Sequence, residues 1–142
     1  MSLSDSELAF LANHHSAAMV TVAPDGIAKV ARVAVAVVDG KLWSSGTEDR
    51  IRTKRLRRDP RCTLYVHDDA FAFMALETTV TILDGPDAPA FNLALFRLIQ
   101  KKPTGPLGWF GGDLTEEKFL AQMAAEGRLI YEFEPHHTYG LH

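Results

Sequence analysis

The sequence predicts a mainly β protein with flanking helices, its strands curling into a small closed or nearly closed antiparallel barrel. Runs rich in Val, Thr, Tyr and Phe recur through the first 83 residues, the turn formers Pro24-Asp25-Gly26 and Asp39-Gly40 separate the early ones, and one short basic helix interrupts the series. At 142 residues the chain is expected to form one domain, 1–142. Composition is ordinary for a globular protein, with 46% hydrophobic and 23% charged residues. No run approaches the roughly 18 apolar residues that cross a bilayer, so no membrane partner is expected. The acids of the first ten residues and the lone Cys62 point to a reducing cytoplasm rather than to export.

Ser4 and Glu7 have the spacing of a capping box, which opens a short helix carrying Leu8, Leu11 and Ala12. Ala17 to Ala23 is β-prone, and Ile27 to Val38 is a Val-rich strand that alternates around Lys29 and Arg32 and stops at the hairpin dipeptide Asp39-Gly40. Lys41 to Ser45 returns as a third strand. Gly46 breaks it, Thr47 is expected to cap the basic helix, and Glu48 and Asp49 fall in that helix's first turn. Proline disfavours helix in the residue before it, so the helix should end at Asp59-Pro60. Arg61 to Asp68 and Phe71 to Leu83 read as two more strands. Ala90 to Lys102 reads as an apolar helix buried on most sides, and Pro103 to Gly112 as a loop holding Trp109 and Phe110. Asp113 with Glu116 should cap a helix through about Ala125, before a last strand from Leu129 to Glu134.

The stretch Arg50 to Arg61 holds seven of the 15 Lys and Arg residues beside one acid. Net charge is −3; without this stretch 8 basic and 17 acidic residues remain, a balance of −9. One positive patch on an acidic body suits a small anionic ligand, whereas nucleic-acid binders spread cations over a whole face. Arginine offers a planar fork of donors matched to phosphate oxygens. Arg50 and Lys54 are four apart and share a helix face, with Arg55 and Arg58 elsewhere on the cylinder. Arg32 is a charge in an apolar strand, requiring either a cross-strand or edge position or an anionic ligand. No Gly-x-Gly-x-x-Gly, Walker lysine loop or Ser or Cys nucleophile with a placed base is present.

The order hairpin, hairpin, basic helix, Asp-Pro-Arg, strand resembles the pyridoxamine-phosphate-oxidase-like split β-barrel family of flavin and deazaflavin proteins. The residues that carry this are Val20-Thr21-Val22 with Pro24-Asp25-Gly26, Leu42-Trp43-Ser44-Ser45, and above all Arg50, Arg52, Lys54, Leu56 and Arg57-Arg58-Asp59-Pro60-Arg61. The resemblance implies a split antiparallel barrel (the FMN-binding split barrel), working as a homodimer. By position it implies that Arg32, Val33, Ala34 and Val35 line the isoalloxazine edge. Ser44, Ser45, Gly46 and Thr47 would flank the phosphate and ribityl chain, and Arg50, Ile51, Arg52 and Lys54 would form the cationic helix start. The basic-helix wording is most similar to the branch that uses coenzyme F420, with FMN as the alternative cofactor. The implied activity is hydride transfer between the deazaflavin and a small unsaturated or conjugated substrate. The substrate segment of pyridoxamine-phosphate oxidases proper is not recognisable in Tyr131 to His142, so that activity is not expected. Phe71, Phe73, Trp109 and Phe110 would wall the substrate side, or else serve ordinary core or dimer packing. A non-catalytic flavin or haem carrier, with His67 or His136 as ligands, is a further alternative.

Overall fold

The computed structural model describes residues 1–142. Helix α1 (Asp5–Asn13) opens with the capping box: the Ser4 side chain accepts from the Glu7 amide, and the Glu7 carboxylate accepts from the Ser4 amide. Strands β1 (Ser16–Val22), β2 (Ala28–Val38) and β3 (Lys41–Thr47) form two consecutive hairpins. In the second turn Asp39 and Gly40 take φ of 49° and 78°. That pair of positive values lets a two-residue turn follow the strand twist.

Helix α2 (Ile51–Arg58) follows β3, then strands β4 (Arg61–His67) and β5 (Phe73–Leu83), helix α3 (Ala88–Gln100), a small hairpin β6 (Leu107–Trp109) and β7 (Gly112–Leu114), helix α4 (Glu116–Ala125) and strand β8 (Arg128–Leu141). Six strands close a barrel in the order β1-β2-β3-β8-β5-β4, with every neighbouring pair antiparallel. Closure leaves no sheet edge unpaired.

Side chains alternate inward and outward along each strand. Met19, Val35, Leu64, Leu76, Tyr131 and Phe133 fill the interior, while Leu11 from α1 and Leu56 from α2 join that core from opposite ends of β1. On the outside, α3 lays Leu95 against Ala36, Val38, Trp43 and Ile130. The outer face centred on β4 has no such cover: Val30 is 69%, Tyr65 42% and Tyr139 49% exposed.

Several elements differ from expectation. Thr47 is the last residue of β3, paired with Arg128, and α2 begins only after Arg50. The Thr47 hydroxyl donates to Asp49 Oδ1 at 2.6 Å, so it is not free to cap. Helix α3 buries only Ala88, Asn92 and Leu95, because the barrel offers it one face; Leu93 and Phe96 pack instead on a third cluster of Leu107, Phe119 and Met123. The segment read as a loop contains the β6–β7 hairpin, turned by positive φ at Phe110 and Gly111, and α4 is capped by Thr115, with Asp113 inside β7. Strand β8 runs through Pro135 to Leu141: the register with β5 shifts beside Pro135, and a bulge tolerates a residue that has no N–H to give.

Candidate functional site

The basic stretch divides by its partners. Arg57 is bound by Glu48 and Asp84 at 2.8 and 2.9 Å, Arg58 donates to the Val22 carbonyl at 2.9 Å, and Arg61 pairs with Asp59 at 2.8 Å. These three tie α2 and its exit to neighbouring loops and strands. The same contacts with Arg61 hold the Asp59 carboxyl down to about 2. The arginines nearer the helix start make no ion pair.

At the mouth of the barrel, between the start of α2, the end of β3 and the start of β8, lies an open cleft of about 690 Å³. Thr47, Arg50, Ile51 and Arg52 line it, joined by Ala31, Asp49, Arg55, Glu126 and Arg128. Four arginines therefore face two carboxylates. Arg128 is bound through Nε to Glu126 Oε1 at 2.9 Å, and Asp49 is occupied by the Thr47 hydroxyl. No side chain caps α2, whose N-terminus carries the positive end of the helix dipole.

Arg52 is the central cation. Its guanidinium carbon stands 6.0 Å from the centroid of the Tyr131 ring, and its Nε is buried with no hydrogen-bond partner. Burial depresses its pKa, Tyr131 partly offsets this by favouring the charged form, and the nearby charges of Arg50 and Arg128 lower it further. A half-buried cation beside like charges, with an orphaned donor, is costly unless an anion completes it. Beneath it the Tyr131 and Thr53 hydroxyls bond each other, and the Thr53 hydroxyl reaches the Thr47 carbonyl at 2.7 Å. A Cβ on Gly46 would overlap the Tyr131 ring, so only glycine lets β3 pass this close.

Of the twelve residues implicated from sequence, Thr47, Arg50, Ile51 and Arg52 meet at the cleft. Arg32 is exposed on the outer face of β2, opposite Ala18, rather than turned inward. Val33 and Val35 point into the core. The Ala34 carbonyl accepts the Ser44 hydroxyl at 2.7 Å, and Ser45 donates to Asn92 of α3. Gly46 lies against Tyr131, and Lys54 is exposed on α2 without lining the cleft. Sequence reasoning placed Arg55 elsewhere on the helix, although its spacing of three from Arg52 puts the two on one face. Arg128 and Glu126 carried no local signal; the β3–β8 register that sets Arg128 opposite Thr47 brings them in.

A family model for pyridoxamine 5'-phosphate oxidase matches residues 3–140. The chain belongs to the pyridoxamine 5'-phosphate oxidase family. Solved structures agree on the fold of this family member. A conserved hypothetical protein of Mycobacterium tuberculosis superposes with a TM-score of 0.76 at 21% identity, over 99% of this chain and 86% of that one. An F420 reductase does so at 0.70 and 18% identity, over 96% and 98% of the two chains. General stress protein 26 of Bacillus anthracis gives 0.65 and 10%, over 94% and 88%. A comparison with curated proteins finds no match. The chain thus has the barrel of the pyridoxamine 5'-phosphate oxidase family, and no helix in it is long and apolar enough to cross a membrane.

Proposed function

We propose that this chain is a coenzyme F420-dependent reductase that moves hydride between the deazaflavin and a small unsaturated or conjugated organic substrate. The observation that carries this is Arg52, half-buried and without an acid, its Nε orphaned, in a cleft that holds two more cations than anions. A phosphate there would give Arg52 the partner it lacks and neutralise Arg50 and Arg55. Charge-assisted hydrogen bonds of this kind are about twice as strong as neutral ones. The volume is within the range of ligand clefts, roughly 300–1,000 Å³.

When bound, the cofactor ring supplies the hydride chemistry, and the protein supplies binding, orientation and electrostatics. Arg50, Arg52 and Arg55 hold the phosphate; Thr53 and Tyr131 brace the floor under Arg52. Ala31 and Ile51 provide the apolar part of the wall. FMN is the second reading, favoured by the two uncompensated positive charges, which match one phosphate monoester.

We extend the proposal to a cytoplasmic homodimer. The bare outer face with Val30, Tyr65 and Tyr139 is the surface for the second copy, and Arg32 stands in the same cross-strand row as Tyr65 and Tyr139. A single buried thiol suits a reducing compartment. The test is to express the protein in an F420-producing host, denature it, and identify the released chromophore by mass spectrometry, alongside a hydride-transfer assay with reduced F420. F420 with turnover is expected; FMN would move the protein to the second reading, and neither would overturn both.

A further inference from the structure

The cation on the far wall of the cleft is held in an unusual way. Arg128 has a side chain only 10% exposed, and its single ion pair runs from Nε, on the side of the guanidinium, to Glu126 Oε1 at 2.9 Å. Its two terminal nitrogens have no protein partner, and Arg128 lines the cleft. The plane of the group is fixed from a second direction by the Trp109 ring, whose centroid lies 5.1 Å from its central carbon. Glu126 is itself anchored: its Oε2 accepts from Trp109 Nε1 at 2.8 Å and from Gln122 Nε2 at 2.7 Å. One carboxylate therefore ties the β6–β7 hairpin, helix α4 and the first residue of β8 to one orientation of Arg128.

We propose that Glu126 is a positioning residue for the anion site, which turns the free edge of Arg128 toward the bound phosphate of the cofactor. This deepens the anionic-cofactor reading above and rests on it. The alternative role for a carboxylate in a cationic cleft is simple neutralisation, and the two roles have opposite signs. If Glu126 only offsets charge, its removal leaves the cleft more positive and anions bind more tightly. If it aims Arg128, removal frees the guanidinium and anions bind more weakly despite the gained charge.

Coenzyme F420 and FMN are titrated by their own fluorescence into wild type, Glu126→Ala, Glu126→Gln, Arg128→Ala and the Glu126→Ala/Arg128→Ala double variant. Glu126→Ala should weaken binding of the better ligand by about tenfold, the scale of one charge-assisted hydrogen bond. Glu126→Gln keeps an oxygen for Arg128 Nε and should stay within about threefold of wild type. In the Arg128→Ala background the Glu126→Ala change should cause no further loss of affinity, because the loss acts only through Arg128. Tighter binding by Glu126→Ala, or losses that multiply in the double variant, would overturn the positioning role while leaving the cofactor site standing. Wild type that binds neither ligand would remove both. Thermal unfolding of each variant separates these effects from loss of fold, and Glu126→Gln supplies the folded reference should Glu126→Ala prove unstable.

Discussion

Replacing Arg52 with methionine separates binding from stability, because the structure gives the two effects opposite signs. Arg52 Nε is buried without a partner, no acid neutralises the group, and burial together with Arg50 and Arg128 disfavours its charge against the partial support of Tyr131. An unsatisfied buried donor costs about 1–3 kcal/mol, and methionine removes it while retaining most of the apolar stem. With some packing lost, the variant without ligand should be more stable by about 1 kcal/mol, roughly 3 °C in Tm for a domain of this size. The same change removes the central donor to the proposed phosphate, which should cost about 2 kcal/mol or thirtyfold in affinity. The assays are differential scanning calorimetry of the ligand-free protein and isothermal titration with F420 and FMN. A Tm lowered by several degrees together with unchanged affinity would refute the reasoning, since Arg52 would then be a structural residue.

Arg55 and Lys54 make a paired comparison on the same helix: Arg55→Ala should weaken cofactor binding about tenfold and Lys54→Ala by less than about twofold, whereas the reverse order in the same titration would place the site on the other side of α2. Gly46→Ala should destabilise the fold by about 2 kcal/mol in urea unfolding, because the added methyl group overlaps the Tyr131 ring; unaltered stability would show that the ring yields freely. Burial pushes the Cys62 thiol from 9.0 up to about 12. The folded chain thus keeps this proton where the unfolded chain loses it, so the stability it lends is intact below about pH 9 and is lost as the pH rises toward 12. Cys62→Ala should flatten that alkaline slope, and iodoacetamide at pH 8 should modify the thiol only after denaturation.

What could be read from the sequence was what local physics decides. The Ser4–Glu7 capping box, the Asp39-Gly40 turn and the stop at Asp59-Pro60 each depend on residues within four positions of one another, and the structure has all three. Thr47 was misread because its role depends on β8: pairing with Arg128 extends β3 through this residue, which delays the helix past Arg50. Pro135 stops a strand in most contexts, and only the register shift against β5 explains why β8 continues. The cationic patch was visible as composition, and two of its residues singled out there, Arg50 and Arg52, line the cleft. Arg128 and Glu126 lie some seventy residues downstream in an unremarked Glu-Gly-Arg, so no local pattern could join them to it. The inward or outward sense of Arg32 likewise depended on strand register, which alternation alone leaves free to flip.

The central claim is that the cleft at the start of α2 binds a phosphate-bearing deazaflavin or flavin through Arg50, Arg52 and Arg55. Its most direct test is an equilibrium titration of the purified protein with F420 and FMN across a series of salt concentrations. Stoichiometric binding of one of them, weakening as salt rises and reduced at least thirtyfold by Arg52→Met, is the expected result. Binding that is insensitive to salt and to Arg52, or no binding of either cofactor, would contradict it.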